Sequence, residues 1–137
     1  MGAGRVGALT LHHVELWVPD LAGTLRPWGW LLEEMDYQVF QEFKGGRSYS
    51  KDGTYIVLEQ SPALTGDRHD RCAPGLNHLA FTVGGESDVE RLCSAAPTQG
   101  WSLMYADKHP HAGGPESYAG YLEDAWGYEV ELCAGPP

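Results

Sequence analysis

The feature that most constrains this 137-residue chain is that its second half repeats the plan of its first. "LHHVELWVPDL" (11–21) and "GLNHLAFTV" (75–83) are both short alternating stretches led by a histidine, His13 in one and His78 in the other. Alternation of apolar and polar residues over such a length predicts a half-buried strand. After the first strand, Leu21, Leu25, Trp28, Leu31 and Leu32 recur at helical spacing. Pro27 either kinks this helix or sits in its first turn, with Thr24 as a possible cap. Three strands follow at 37–43, 46–51 and 54–60, separated by Gly45-Gly46 and the turn pair Asp52-Gly53. After the second strand come a helix over 87–96, with Ser87 and Glu90 as a capping-box pair, and strands at 101–106, 117–123 and 128–133. Strand, helix and three strands, twice over, is a repeat of about 65 residues, too long for a solenoid unit.

That pattern predicts an α+β fold of two βαβββ modules, about 8–60 and 75–134, joined by the Pro-, Gly- and charge-rich loop 61–74. The length suits one core and one domain rather than two ordinary domains. Two modules imply two curved sheets, each with its helix outside, enclosing space between them. The parity of four strands divides their residues. Val14/Leu16/Val18, Ile56/Leu58, Leu79/Phe81/Val83 and Val130/Leu132 form apolar combs, whereas His13, Glu59, His78 and Glu131 occupy the opposite faces.

Charge and cysteine usage narrow the function classes. Nine basic against nineteen acidic residues give a net charge of −10, which repels nucleic acid and anionic membranes. No run approaches the ~18 apolar residues of a membrane span, and "MGAGRVGALT" lacks a signal peptide's apolar region. Cys72, Cys93 and Cys133 are odd in number and show no CxxC spacing, so neither a disulfide framework nor a zinc knot is expected. These features predict a cytoplasmic protein with reduced thiols.

Two imidazoles and one or two carboxylates suit a divalent first-row metal, with Fe, Ni, Zn, Mn and Co all admissible. By the symmetry of the repeat, His13 with Glu59 and His78 with Glu131 are expected to meet at one centre. An incomplete ligand shell there would leave room for two substrate oxygens.

"HHVELWVPDL", "GLNHLAFTV" and "GYLEDAWGYEVEL" resemble the signature strands of the vicinal oxygen chelate superfamily. Its members include glyoxalase I, bleomycin-resistance proteins, extradiol dioxygenases and fosfomycin-resistance enzymes. The resemblance implies a cupped half-barrel of mixed sheets, often completed across a homodimer. It also implies that His13, His78 and Glu131 are metal ligands, with Glu59 similar to the fourth-strand carboxylate of glyoxalase I. "EDAWG" stands where the family usually has Asp-Pro-Asp-Gly, which alters the turn and leaves the glutamate in place.

Several residues are candidates around that centre. Tyr121 lies ten positions before Glu131, like the active-site tyrosine of extradiol dioxygenases, and packing is its rival role. His109 and His111, in the glycine-rich "DKHPHAGG", are candidate acid and base or loop residues closing on a ligand. Trp17, Glu15, Tyr55 and Trp101 are candidate pocket residues, Glu15 and Glu129 candidate supports for the ligands, and Cys133 a small buried hydrophobe. His12 falls on the comb side.

Two function classes remain open. One is a metal-dependent enzyme acting on a small oxygen-chelating metabolite, either a glyoxalase-like lyase or isomerase that uses Glu59 as ligand and proton carrier, or an extradiol-type dioxygenase. The other is a non-catalytic protein that sequesters an antibiotic or aromatic metabolite in a dimer cleft.

Overall fold

The computed structural model describes residues 10–136. Its elements are β1 (His13–Trp17), α1 (Leu21–Glu34), β2 (Gln38–Phe43), β3 (Gly46–Lys51), β4 (Thr54–Glu59), β5 (His78–Gly84), α2 (Glu86–Ala95), β6 (Ser102–Met104), β7 (Ala119–Glu123) and β8 (Glu129–Ala134). A single 3₁₀ turn, Ala96–Gln99, continues α2. The strands form two four-stranded mixed sheets of identical topology, β1-β4-β3-β2 and β5-β8-β7-β6. In each, the leading strand lies parallel to the fourth and the others are antiparallel. The repeat in the sequence is thus a repeat in space, and the expected α+β architecture of two half-barrel modules is present.

Local chemistry differs from expectation at both helix starts. α1 begins three residues before Thr24, because Asp20 is the cap and its side chain accepts from the Gly23 amide. Thr24 is instead buried inside the helix, and its hydroxyl makes no hydrogen bond. Pro27 also lies inside α1, where its carbonyl accepts from the Trp101 indole at 2.9 Å. α2 is capped at Gly85, whose amide donates to Asp88, so the Ser87–Glu90 pair is not its cap. Gly84, at φ 126°, supplies the left-handed turn into the helix.

The apolar combs and both helices meet in one core. α1 reaches its own sheet where Gly29 lies under the Tyr49 hydroxyl, and reaches the second unit where Trp28 meets Trp101 at 5.3 Å between rings. Leu31, Leu32, Leu58, Val89, Leu92, Leu122, Val130 and Leu132 are fully or almost fully buried there. Trp101 is therefore a core residue, 2% exposed, and not part of a pocket as expected. Each helix lies on the side of its sheet opposite His13 or His78. These helix-bearing sides face one another, so the histidine-bearing sides point away. The expectation that one chain encloses the space between its sheets is corrected accordingly: burying both combs with their helices leaves the cup faces outermost.

The "EDAWG" turn is built around a buried carboxylate. Asp124 accepts from the Trp126 and Tyr128 amides, both at 2.9 Å, and from the Trp28 indole at 3.0 Å. Burial holds its carboxyl above the ordinary range, although all three donors pull the other way. Trp28→Phe would strip one donor from this buried acceptor. A loss of about 1–3 kcal/mol in urea unfolding is expected; an unchanged midpoint would mean the turn does not depend on that bond.

Candidate functional site

The second module's cup face centres on Glu131. One carboxylate oxygen lies 3.0 Å from His78 Nε2, and the other accepts from the Cys133 thiol at 3.2 Å. Tyr121 is the cross-strand partner of Glu131. Burial, then the neighbouring Glu131 charge, pushes the Tyr121 phenol up to about 12. Burial and Glu131 likewise push the Cys133 thiol up to about 11, so at neutral pH it remains a donor. The Tyr121 ring stands edge-on to both His78 (6.0 Å) and Tyr105 (5.6 Å).

The His78 ring is fixed from behind. Nδ1 lies 2.7 Å from Asn77 Oδ1, and the orientation of that amide is set by Nδ2 donating to the Arg71 carbonyl at 3.0 Å. The Arg71 side chain is itself paired with the buried Glu129 at 2.8 Å. A donating Nδ1–H leaves the Nε2 lone pair facing a carboxylate oxygen. Two acceptors turned on each other need a proton or a cation between them, which is the donor set of a divalent metal site. Asn77 and Arg71 were not among the sequence candidates. Asn77 adjoins its histidine in "LNH", but nothing in the linker marked Arg71.

The first module's cup face is more open. The His13 ring stacks on Tyr55 (4.7 Å, 3° between planes), and its Nδ1 lies 2.8 Å from His12 Nδ1. Glu15 accepts from the Trp17 indole at 2.6 Å. Partial desolvation, then the hydrogen bond and repulsion from Glu15, hold the Glu59 carboxyl above the ordinary range. The strand register places His13 beside Tyr55 and Glu59 beside Trp17, at opposite ends of the β1–β4 pair.

The structure therefore brings His78, Glu131 and Tyr121 together and sets Glu15 and Glu59 on the same face of the β1–β4 pair. It does not bring His13 to His78. Among the described residues no three His, Cys, Asp or Glu side chains converge on a single metal position, so the expected meeting of both pairs within one chain does not occur.

The loop histidines also lie elsewhere. His109 Nε2 contacts both oxygens of Glu90 on α2 (2.9 and 3.0 Å), and Tyr118 donates to the same carboxylate at 2.5 Å. This cluster is on the helix side of β7, beside Gly120 and Cys93. His111 Nδ1 contacts the Ser117 carbonyl at 2.6 Å within its own loop. Neither ring reaches the cup; both tie down the loop that follows β6.

With this geometry in hand, comparison with known proteins identifies the lineage. The family model for the Glyoxalase/Bleomycin resistance protein/Dioxygenase superfamily matches residues 12–121. The chain is 40% identical to the uncharacterized protein YqjT of Bacillus subtilis (strain 168) over 126 residues, covering 90% of this chain and 98% of YqjT. A crystal structure of a presumed glyoxalase from Bacillus halodurans superposes with a TM-score of 0.90 at 36% identity, covering 96% of this chain and 99% of that one. The fold also matches FosX, a fosfomycin-resistance protein of Listeria monocytogenes crystallised with Mn(II) and 1S,2S-dihydroxypropylphosphonic acid (TM-score 0.62, 16% identity, 93% and 91% covered). The chain belongs to the glyoxalase/bleomycin resistance protein/dioxygenase superfamily.

One consequence of the Glu90 cluster is testable away from the cup. Hydrogen bonds from Tyr118 and then His109 hold the Glu90 carboxyl below the ordinary range. Its contribution to stability is complete above the unfolded-state value and lost as pH falls through the lowered one. Glu90→Gln should therefore flatten the acid limb of the stability–pH curve below about pH 4. An unchanged limb would show that this contact carries no proton linkage.

Proposed function

We propose that this protein is a divalent-metal enzyme whose site is completed by a second copy of the chain. His13 and Glu59 from one copy would face His78 and Glu131 from the other. The observation that carries this reading is the His78 Nε2–Glu131 contact at 3.0 Å, two metal-ligating groups held together on an outward-facing surface with Asn77 fixing the ring. Supporting it, the first module's cup face exposes rings that a lone chain would gain by covering: Trp17 is 40%, Phe43 45% and Phe40 52% exposed. FosX, which shares the fold, holds Mn(II).

A metal bound there would act as a Lewis acid toward two adjacent substrate oxygens. The chain's own residues would supply the remaining chemistry. Asn77 orients the His78 ring, and Glu131 presents one oxygen while its other is held by Cys133. Glu59 would accept and return a proton at a substrate carbon. The Tyr121 hydroxyl, protonated at neutral pH, is a donor at the rim. Proton transfer beside chelated oxygens is lyase or isomerase chemistry of the glyoxalase kind, and Glu59 favours it over dioxygenation.

Elemental analysis of protein purified without chelator or nickel resin tests the assignment. About one divalent ion per chain is expected, with stoichiometry lost in His13→Ala and in His78→Ala. Asn77→Ala should weaken metal affinity about 10–100-fold without unfolding the protein. Absence of metal in the wild type, with none taken up on titration, would defeat the enzyme reading and leave sequestration of an aromatic ligand. Light scattering should give twice the 15.0 kDa chain mass; a monomer at micromolar concentration would contradict the shared site.

A further inference from the structure

The chemistry of the two cup faces specifies a class of ligand, an inference that rests on the shared site proposed above. The faces are aromatic. On the first, Phe40 tilts against Tyr55 at 5.2 Å, and Tyr55 lies flat on His13, making a continuous run of rings. A bulge between Val39 and Gln41 accompanies the turning of Phe40 to this side. On the second, Tyr105 and Tyr121 stand beside the His78–Glu131 pair.

The faces are also acidic, with five strand glutamates against two arginines at the rim. Strand register places Glu15 and Glu59 on the first face and Glu123, Glu129 and Glu131 on the second. Among the described residues, no lysine or arginine occupies a cup-facing strand position. Arg47 and Lys51 share the parity of buried Tyr49, on the helix side, and Lys51 is anchored to the Met35 carbonyl at 2.8 Å. The two linker arginines that reach the rim are already committed, Arg71 to Glu129 at 2.8 Å and Arg68 to Glu123 at 3.9 Å. Beyond the metal, whose charge its own ligands Glu59 and Glu131 would balance, a phosphonate or carboxylate entering this cup would lose water without meeting a free lysine or arginine, and would face the Glu15 carboxylate. A ring would meet other rings, and an ammonium group would meet both π-faces and carboxylates.

We infer that the cup accepts a neutral or amine-bearing aromatic ligand with two adjacent oxygens, and discriminates against anionic ones. This separates it from FosX, whose bound 1S,2S-dihydroxypropylphosphonic acid carries a phosphonate.

Three catechols that share the ring and oxygen pair isolate the effect: dopamine, 4-methylcatechol and 3,4-dihydroxyphenylacetate. Each is titrated calorimetrically into the full chain, both Mn(II)-loaded and metal-free. In both states dopamine and 4-methylcatechol should bind at least about tenfold more tightly than the carboxylate at low salt. The gap between dopamine and the carboxylate should narrow at high ionic strength and in Glu15→Gln. Phe40→Ala, a surface change, should weaken all three alike. Equal or tighter binding of the carboxylate, or failure of every catechol to bind in either state, would overturn the inference. Failure of the metal reading shows separately, as no Mn(II) retained while the catechol ranking persists.

Discussion

The packing of both apolar combs, with both helices, into one shared core governs everything else in this molecule. Each sheet has one face that must leave water, and α1 and α2 are too narrow to cover those faces independently. Trp28 bridges the halves, touching Trp101 on one side and donating to Asp124 on the other. Once the combs are turned inward, strand alternation turns His13, Glu15 and Glu59 outward on one module and His78, Tyr121 and Glu131 outward on the other. The histidine-bearing faces are thus a by-product of the core, and their separation within one chain is a consequence of how that core is built. The shared site proposed above would resolve the separation without altering the core.

The two faces differ in readiness. On the second module, Glu129, Arg71, Asn77, His78 and Glu131 form a continuous series of polar contacts from the linker to the His78–Glu131 pair. Such series lock a ring's tautomer and direction before any metal arrives. On the first module, His13 is positioned by stacking on Tyr55 and by contact with His12, and its surroundings are open to solvent. A preorganised half and a looser half suit a site that closes when two surfaces meet.

Much of this was legible in the sequence because it is periodic. The order of the elements, the combs and the outward parity of His13, His78, Glu59 and Glu131 all follow from alternation, and the register agrees. What alternation could not reveal was which side of each sheet would face the other module, since either choice gives the same pattern. Trp101 was misplaced because it lies one residue before β6, where parity is weakest. Thr24 was overtaken as a cap by Asp20, a comparably good capping residue placed earlier. His109 sits in a loop, and loops carry no period from which its Glu90 partner could be inferred.

The central claim is that one site draws His13 from one copy and His78 from another, and complementation tests it most directly. His13→Ala and His78→Ala chains each lack a needed ligand at every site as homodimers, but a mixed dimer regains one intact site of its two. Co-refolding the two variants at equal amounts should restore metal binding to about a quarter of the wild-type stoichiometry, because half of the dimers are mixed under random pairing. If the mixture binds no more metal than either variant alone, the site does not span two copies and the account is wrong.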